Sequence, residues 1–113
     1  MKINGNAKGK KGELEFAHLL EDNGFKARRG QQYSGTETTA DIISELPYHF
    51  EVKRVERLNI DKAIEQAIKD CGDNIPVVAH RKNHKDWLIT MKFDDWIQII
   101  KTVRDWQFAS YSV

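Results

Sequence analysis

A single cysteine, Cys71, stands among the 113 residues, so no disulfide can form within the chain. That points to a reducing compartment. No apolar run approaches the roughly 20 residues of a membrane-spanning helix, and the first residues lack the apolar segment of a secretion signal. The expectation is a soluble cytoplasmic protein with no membrane partner. Large net charge is missing too: 18 basic and 17 acidic side chains give +1, so overall charge announces no polyanionic partner. There is no internal repeat and no low-complexity segment. Neither a Cys pair nor an HExxH pattern accompanies His80 and His84. Their i,i+4 spacing alone is a weak zinc signal, and it falls in a stretch that reads as a turn. His18 and His49 show no visible partner.

What is present fits one globular domain. Hydrophobic residues make up 40% and charged residues 31%, the usual balance for a folded chain. A chain of 113 residues holds one core, small enough that pairing with a second copy is plausible on size alone. Residues 1–10 are polar and lysine-rich and read as a flexible basic arm, leaving 11–113 as the domain. Leu14, Phe16, Ala17, Leu19 and Leu20 give an apolar helical face from about Lys11 to a stop at Asn23-Gly24. Phe25 to Arg29 reads as a strand, and 30–39, rich in Gly, Gln, Ser and Thr, as a loop. Asp41–Glu45 and Tyr48–Val55 read as strands about a turn at Leu46-Pro47.

Ile60, Ala63, Ile64, Ala67, Ile68 and Cys71 recur at helical spacing, and Gly72-Asp73-Asn74 ends that helix. Cys71 reads as a packed member of the stripe rather than a nucleophile. Pro76–Ala79 and Trp87–Met91 follow as strands, and Asp94 as the cap of a last helix. The fold class expected is α/β, a single domain with a central mixed sheet flanked by helices in the order α-β-β-β-α-β-β-α. Trp96, Ile99, Ile100, Val103 and Trp106 form one stripe on the last helix, read as core in preference to a dimer contact. Trp106 and Phe108 are the better interface candidates.

The residues that carry chemistry are Asp41, in Ala40-Asp41-Ile42-Ile43, and Glu51 and Lys53, in Phe50-Glu51-Val52-Lys53. Alternate side chains of a strand share a face, so Glu51 and Lys53 point one way while Phe50 and Val52 point to a core. A hairpin turn centred on Leu46 sets Asp41 directly across from Glu51. Two carboxylates so placed repel, and a divalent cation between them reverses the sign. Mg²⁺ takes oxygen ligands, which Asp41, Glu51 and the Val52 backbone carbonyl would supply. Such a cation offsets charge developing on a phosphate and activates water, with Lys53 placed to orient that water or stabilise the transition state. Glu-x-Lys alone is common as a solvated pair; the acid on the neighbouring strand lifts it.

Local basic clusters suit a phosphate-bearing partner. Lys8, Lys10 and Lys11, then Arg28 and Arg29, then Arg54 beside Lys53 are candidates for DNA backbone contact, against the plainer reading of solvated faces. In the loop, Ser34 is the candidate hydroxyl at a phosphate, with Thr36, Thr38 and Thr39 as open alternatives. Glu13 and Glu15, taken singly, are first-turn acids favoured by the helix dipole. Glu15 lies on a different face from Glu13 and reads as surface.

Lys11-Gly12-Glu13-Leu14-Glu15-Phe16, Leu19-Leu20-Glu21-Asp22-Asn23-Gly24-Phe25, Ala40–Ile43, Phe50–Lys53, Ile75–Ala79 and Met91–Trp96, in that order, resemble the PD-(D/E)xK nuclease superfamily. Within it the chain is most similar to the Holliday-junction resolvases of archaeal and phage type. The likeness spans about residues 8–105, and order and spacing carry its specificity, since each motif is short. The resemblance implies a restriction-endonuclease-like fold. It implies a homodimer that uses Mg²⁺ or Mn²⁺ to make paired nicks in four-way DNA junctions, leaving 5′-phosphate ends. Glu13 becomes a further metal-binding acid beside Asp41 and Glu51, Lys53 the catalytic lysine, and Gln66 a glutamine near the site. A bacterial or archaeal cell is implied, with a phage gene as one option. Ala40 stands where a proline is common, and the 30–39 loop is longer than in compact relatives, which is where substrate choice would be decided. A flap, nicking or single-strand nuclease is the alternative within the superfamily. A non-catalytic DNA-binding module is the alternative of another class, against which the intact Glu51-Val52-Lys53 speaks.

Overall fold

The computed structural model describes residues 5–30 and 41–111. Three helices and five strands follow in the expected order: α1 (Gly5–Asp22), β1 (Ala27–Arg29), β2 (Ile42–Ser44), β3 (Tyr48–Arg54), α2 (Ile60–Asp70), β4 (Ile75–Arg81), β5 (Leu88–Met91) and α3 (Phe93–Tyr111). β3, β4 and β5 make a mixed sheet, β3 parallel to β4 and β4 antiparallel to β5. α2 is the crossover that a parallel pair requires. β1 and β2 form a separate antiparallel pair, with Arg29 beside Ile42. The expected 30–39 loop, Ser34 included, lies almost wholly outside the described residues.

Strand alternation divides the interior. Phe50 and Val52 of β3 join Val77 and Ala79 of β4, Ile42 of β2 and Phe16 and Ala17 of α1 in the larger core. The Phe16 ring lies 5.1 Å from those of Phe50 and Trp87, tilted on both, a favourable aromatic arrangement. On the other face Val78 meets Ala63 and Ala67 of α2. The small alanines let α2 lie close, and Ala67 is wholly buried. Asn59 caps α2, its side chain accepting the Lys62 N–H at 3.1 Å.

Several boundaries, β1 to β3 and β5 by one or two residues, and one surface differ from expectation. α1 begins at Gly5 and so takes in residues 5–10, which the sequence reading assigns to the basic arm; no proline interrupts that stretch, and lysine is a good helix former. Its end is as expected: Gly24 has φ +95, and the Phe25 N–H donates to the Leu20 carbonyl at 3.1 Å. α3 starts at Phe93, and the Trp96 N–H already donates to the Lys92 carbonyl at 3.0 Å. Asp94 is therefore a first-turn acid suited to the helix dipole and not the cap. β4 runs longer than the Pro76–Ala79 core, out to Arg81.

The larger correction concerns the α3 stripe, most of which is not core, although Ile99 is half-buried and shares a cavity with Phe16, Phe50 and Val77. Trp96, Ile100, Val103 and Trp106 are 46%, 41%, 48% and 71% exposed, and among the described residues α3 packs extensively on no other element. Helical periodicity marks a face that gains from cover without saying which chain covers it. No helix among the described residues is long and apolar enough to cross a membrane.

Gly12 sets how deeply α1 seats. A Cβ there would lie 2.7 Å from Arg54 Cβ, so only glycine allows this approach. Gly12→Ala is expected to lower stability by about 1–3 kcal/mol through overpacking, against alanine's better helix propensity. Thermal unfolding measures this, and an unchanged or raised Tm would show that α1 shifts freely on β3.

Candidate metal centre

Asp41 lies just before β2, where its carbonyl accepts the Gly30 N–H at 2.8 Å and extends the β1–β2 ladder. Its Oδ2 accepts the Val52 N–H at 2.8 Å. Among the described residues β2 and β3 are not hydrogen-bonded strands, so the expected hairpin register that set Asp41 directly across from Glu51 does not form. β2 is paired with β1, and β3 with β4. The Asp41 side chain, not the backbone, bridges the gap, satisfying an N–H on the edge of β3 that would otherwise lack a partner. The bond falls at the residue between Glu51 and Lys53. A strand residue turns its C=O the same way as its N–H, so the Val52 carbonyl faces this edge as well.

Charge converges here. Burial raises the Asp41 carboxyl from 3.8 to about 6; Glu51 and Glu13 push in the same direction, while the Val52 N–H and Lys53 pull it back. The Arg29 Nε holds Glu13 Oε2 at 2.6 Å. Glu51 is 6% exposed, with Lys53 Nζ 3.5 Å from its Oε1 and His49 Nε2 3.9 Å from its Oε2. The fold thus brings the expected Glu13, Asp41, Glu51 and Lys53 within electrostatic reach of one another. Three carboxylates face two permanent cations, Arg29 and Lys53. Oxygen donors with unrelieved negative charge fit a hard divalent cation.

The tightest ligand group is a different one. Among the described residues, the ligand atoms of His49, Glu51 and Asp70 all lie within 4.8 Å of one another; Glu13 and Asp41 stand outside that group. His49 shares strand parity with Glu51 and Lys53, a signal legible in the sequence. Asp70 arrives only because α2 folds over the sheet, and no local pattern announces it. Gln66 does lie near the site: its Nε2 donates to Asp70 Oδ2 at 2.6 Å.

Glu15 corrects the surface reading. It is half-buried, it accepts from Trp87 Nε1 at 3.1 Å, and it pairs with Arg81 and, at 3.5 Å, with Arg54 Nε. One side chain thereby ties α1 to β3, β4 and the segment before β5. Arg54 also donates to Asn83, so two of the arginines expected at phosphates, Arg29 and Arg54, are engaged by acids of α1. Lys10, Lys11 and Arg28 are exposed. The Lys8 side chain and Ser34 lie outside the described residues. His80 bonds Thr90 Oγ1 at 2.8 Å, and burial lowers its pKa; His84 sits in the following turn at φ 59.

No protein-family model matches the chain, and no curated protein sequence matches it.

The Asp41 carboxyl rises on folding from 3.8 to about 6, so the folded chain holds that proton to higher pH than the unfolded chain. Stability without metal therefore falls as pH climbs from about 4 to about 6, and the deficit persists above. The rise is worth at most about 3 kcal/mol, and partial solvent access reduces this to on the order of 1–2 kcal/mol. Asp41→Asn keeps an oxygen for the Val52 N–H. With a chelator present it is expected to be the more stable protein at pH 7 and equal to the parent at pH 4. Denaturant unfolding at both pH values is the check; a less stable variant at pH 7 means that the charge is already compensated.

Proposed function

We propose that this protein is a metal-dependent endonuclease of the PD-(D/E)xK type that nicks branched DNA, four-way junctions foremost. The observation that carries the reading is the Asp41–Val52 hydrogen bond, which hangs an acid on the residue between Glu51 and Lys53. Support also comes from the element order and from Glu13 of α1, whose charge acts on Asp41. Mg²⁺ or Mn²⁺, held by Asp41, Glu51, Glu13 and the Val52 carbonyl, would supply charge neutralisation at the phosphate and an activated water.

The chain's own residues do the rest. Lys53, 3.5 Å from Glu51, orients the attacking water and offsets negative charge on phosphorus. Attack in line with the P–O3′ bond releases a 3′-hydroxyl and leaves a 5′-phosphate. Lys10, Lys11 and Arg28, exposed on α1 and β1, give the salt-dependent grip on the backbone. Asp41→Asn and Lys53→Ala are each expected to slow cutting about 10²–10³-fold with DNA binding largely kept. The assay uses Mg²⁺ with four-way junction, flap, nicked and linear duplex DNA. Symmetric paired nicks in the junction are expected. Cutting at flaps instead moves the substrate, and no cutting of any of them by the parent protein would sink the nuclease reading.

Paired nicks need two sites, and α3 offers a way to pair copies. Its exposed apolar residues Phe93, Trp96, Ile100 and Val103 step by three, four and three. That seam gives one apolar patch that two copies can present to each other about a two-fold axis. Leu88 and Ile89 of β5, 56% and 55% exposed, add to the apolar surface. The protein is expected to sediment as a dimer at micromolar concentration. The double variant Trp96→Glu, Ile100→Glu is expected to sediment as a folded monomer that nicks single strands without pairing the cuts. A monomeric parent protein removes the paired-cut reading.

A further inference from the structure

The two oxygens of Glu51 have different neighbours. Oε1 lies toward Lys53, while Oε2 lies toward His49. We propose that His49, Glu51 and Asp70 form a second cation position, built for a transition-series divalent ion such as Mn²⁺ in preference to Mg²⁺. The site goes beyond the nuclease reading and does not rest on it.

Two observations point to a ligand there. The first is the convergence of an imidazole nitrogen and two carboxylates within 4.8 Å. The second is His49 itself. The residue is 5% exposed, and its Nε2 is buried with no hydrogen-bond partner. A buried polar nitrogen left without a partner is costly. A merely packed histidine on this strand would be expected to bond a carbonyl or hydroxyl, as His80 bonds Thr90 on the same sheet. His49 Nε2 instead faces Glu51 Oε2 across 3.9 Å, too long for a hydrogen bond and suited to a shared ion.

The dimensions fit. Metal–nitrogen and metal–oxygen bonds of about 2.0–2.2 Å set neighbouring ligands of a tetrahedral ion about 3.4 Å apart. The His49–Glu51 pair, at 3.9 Å, stands about half an ångström wider than that. The widest separation in the group is no more than 4.8 Å, so closure needs only a small side-chain movement. Gln66 holds Asp70 Oδ2 at 2.6 Å, the kind of outer hydrogen bond that orients a ligating carboxylate. Asp70 ends α2, where the helix dipole is negative and favours a cation.

Donor chemistry selects the class of ion. Mg²⁺ prefers oxygen throughout; a mixed set of one imidazole and two carboxylates suits Mn²⁺, Fe²⁺ or Zn²⁺. Three protein ligands leave coordination positions open. Asp70 is only half-buried, so the position is reachable from solvent and can accept water or a substrate oxygen.

The test uses the 113-residue chain free of metal, Mn²⁺ as the probe, and no DNA. Pulsed electron paramagnetic resonance detects nitrogen bound directly to Mn²⁺. The parent protein and Asp41→Asn are expected to show that coupling, and folded His49→Ala to lose it. Asp70→Asn, a change on a half-exposed helix end, is expected to weaken Mn²⁺ binding at this position at least tenfold while the circular dichroism spectrum stays the same. Absence of nitrogen coupling in the parent protein overturns the proposal. So does coupling that survives in His49→Ala. If His49→Ala does not fold, Asp70→Asn decides, and unchanged Mn²⁺ affinity there overturns it. None of these readings depends on cleavage, so a protein that cuts no DNA can still pass, and one that cuts can still fail.

Discussion

The hydrogen bond from the Val52 N–H to the Asp41 carboxylate holds the two sheets in relation to each other. β1–β2 and β3–β4–β5 share no backbone ladder among the described residues. Ile42 gives the smaller pair a foot in the core, but packing is not directional. The bond at 2.8 Å fixes where along β3 the smaller pair sits. It also fixes an acid close to Glu51 and Glu13, in a place where burial already disfavours charge. Joining the sheets through a carboxylate therefore builds electrostatic imbalance into the scaffold. A backbone pairing of β2 with β3 would have joined them without it.

β3 carries a second departure from an ordinary α/β core. Its Phe50 and Val52 serve the α1 face as expected. The other face carries His49, Glu51 and Lys53, and the first two are buried. Beside them on β4, Val78 is covered by Ala63 and Ala67, the apolar solution to the same problem. A strand buried on both faces gains most from apolar residues on both. Places where local rules fail without evident structural gain tend to be functional, and here the failure is confined to one half of one strand.

Much of this was legible from periodicity. Apolar spacing on α1 and α2, the Asn23-Gly24 stop and the alternation of β3 yield the full element order. Asp41, Glu51 and Lys53 stand out because acids and a lysine interrupt apolar runs. The rest fails for identifiable reasons. Sequence adjacency of β2 and β3 suggests a hairpin, but β2 pairs with β1 and meets the free edge of β3 through the Asp41 side chain in place of a backbone ladder. Glu15 read as surface because its partners, Arg54, Arg81 and Trp87, lie far along the chain. His49 and Asp70 come from separate elements, so no spacing links them. The α3 stripe shows its period plainly, yet period cannot tell a core face from an exposed one.

Glu13 and Glu15 show how closely scaffold and site are joined. The two acids are two residues apart on α1 and so point about 200° apart around the helix. Glu15 pairs with Arg54 of β3, whose Cβ lies under Gly12 with no room for a side chain between. That contact sets the depth and rotation of α1 against β3. Glu13, one residue beyond Gly12, is thereby turned toward Arg29 and Asp41. Loosening the Glu15 clamp would therefore change the charge felt at Asp41 without touching any residue of the site. The helix face that reads as surface governs the one that reads as chemistry, through the single glycine between Lys11 and Glu13.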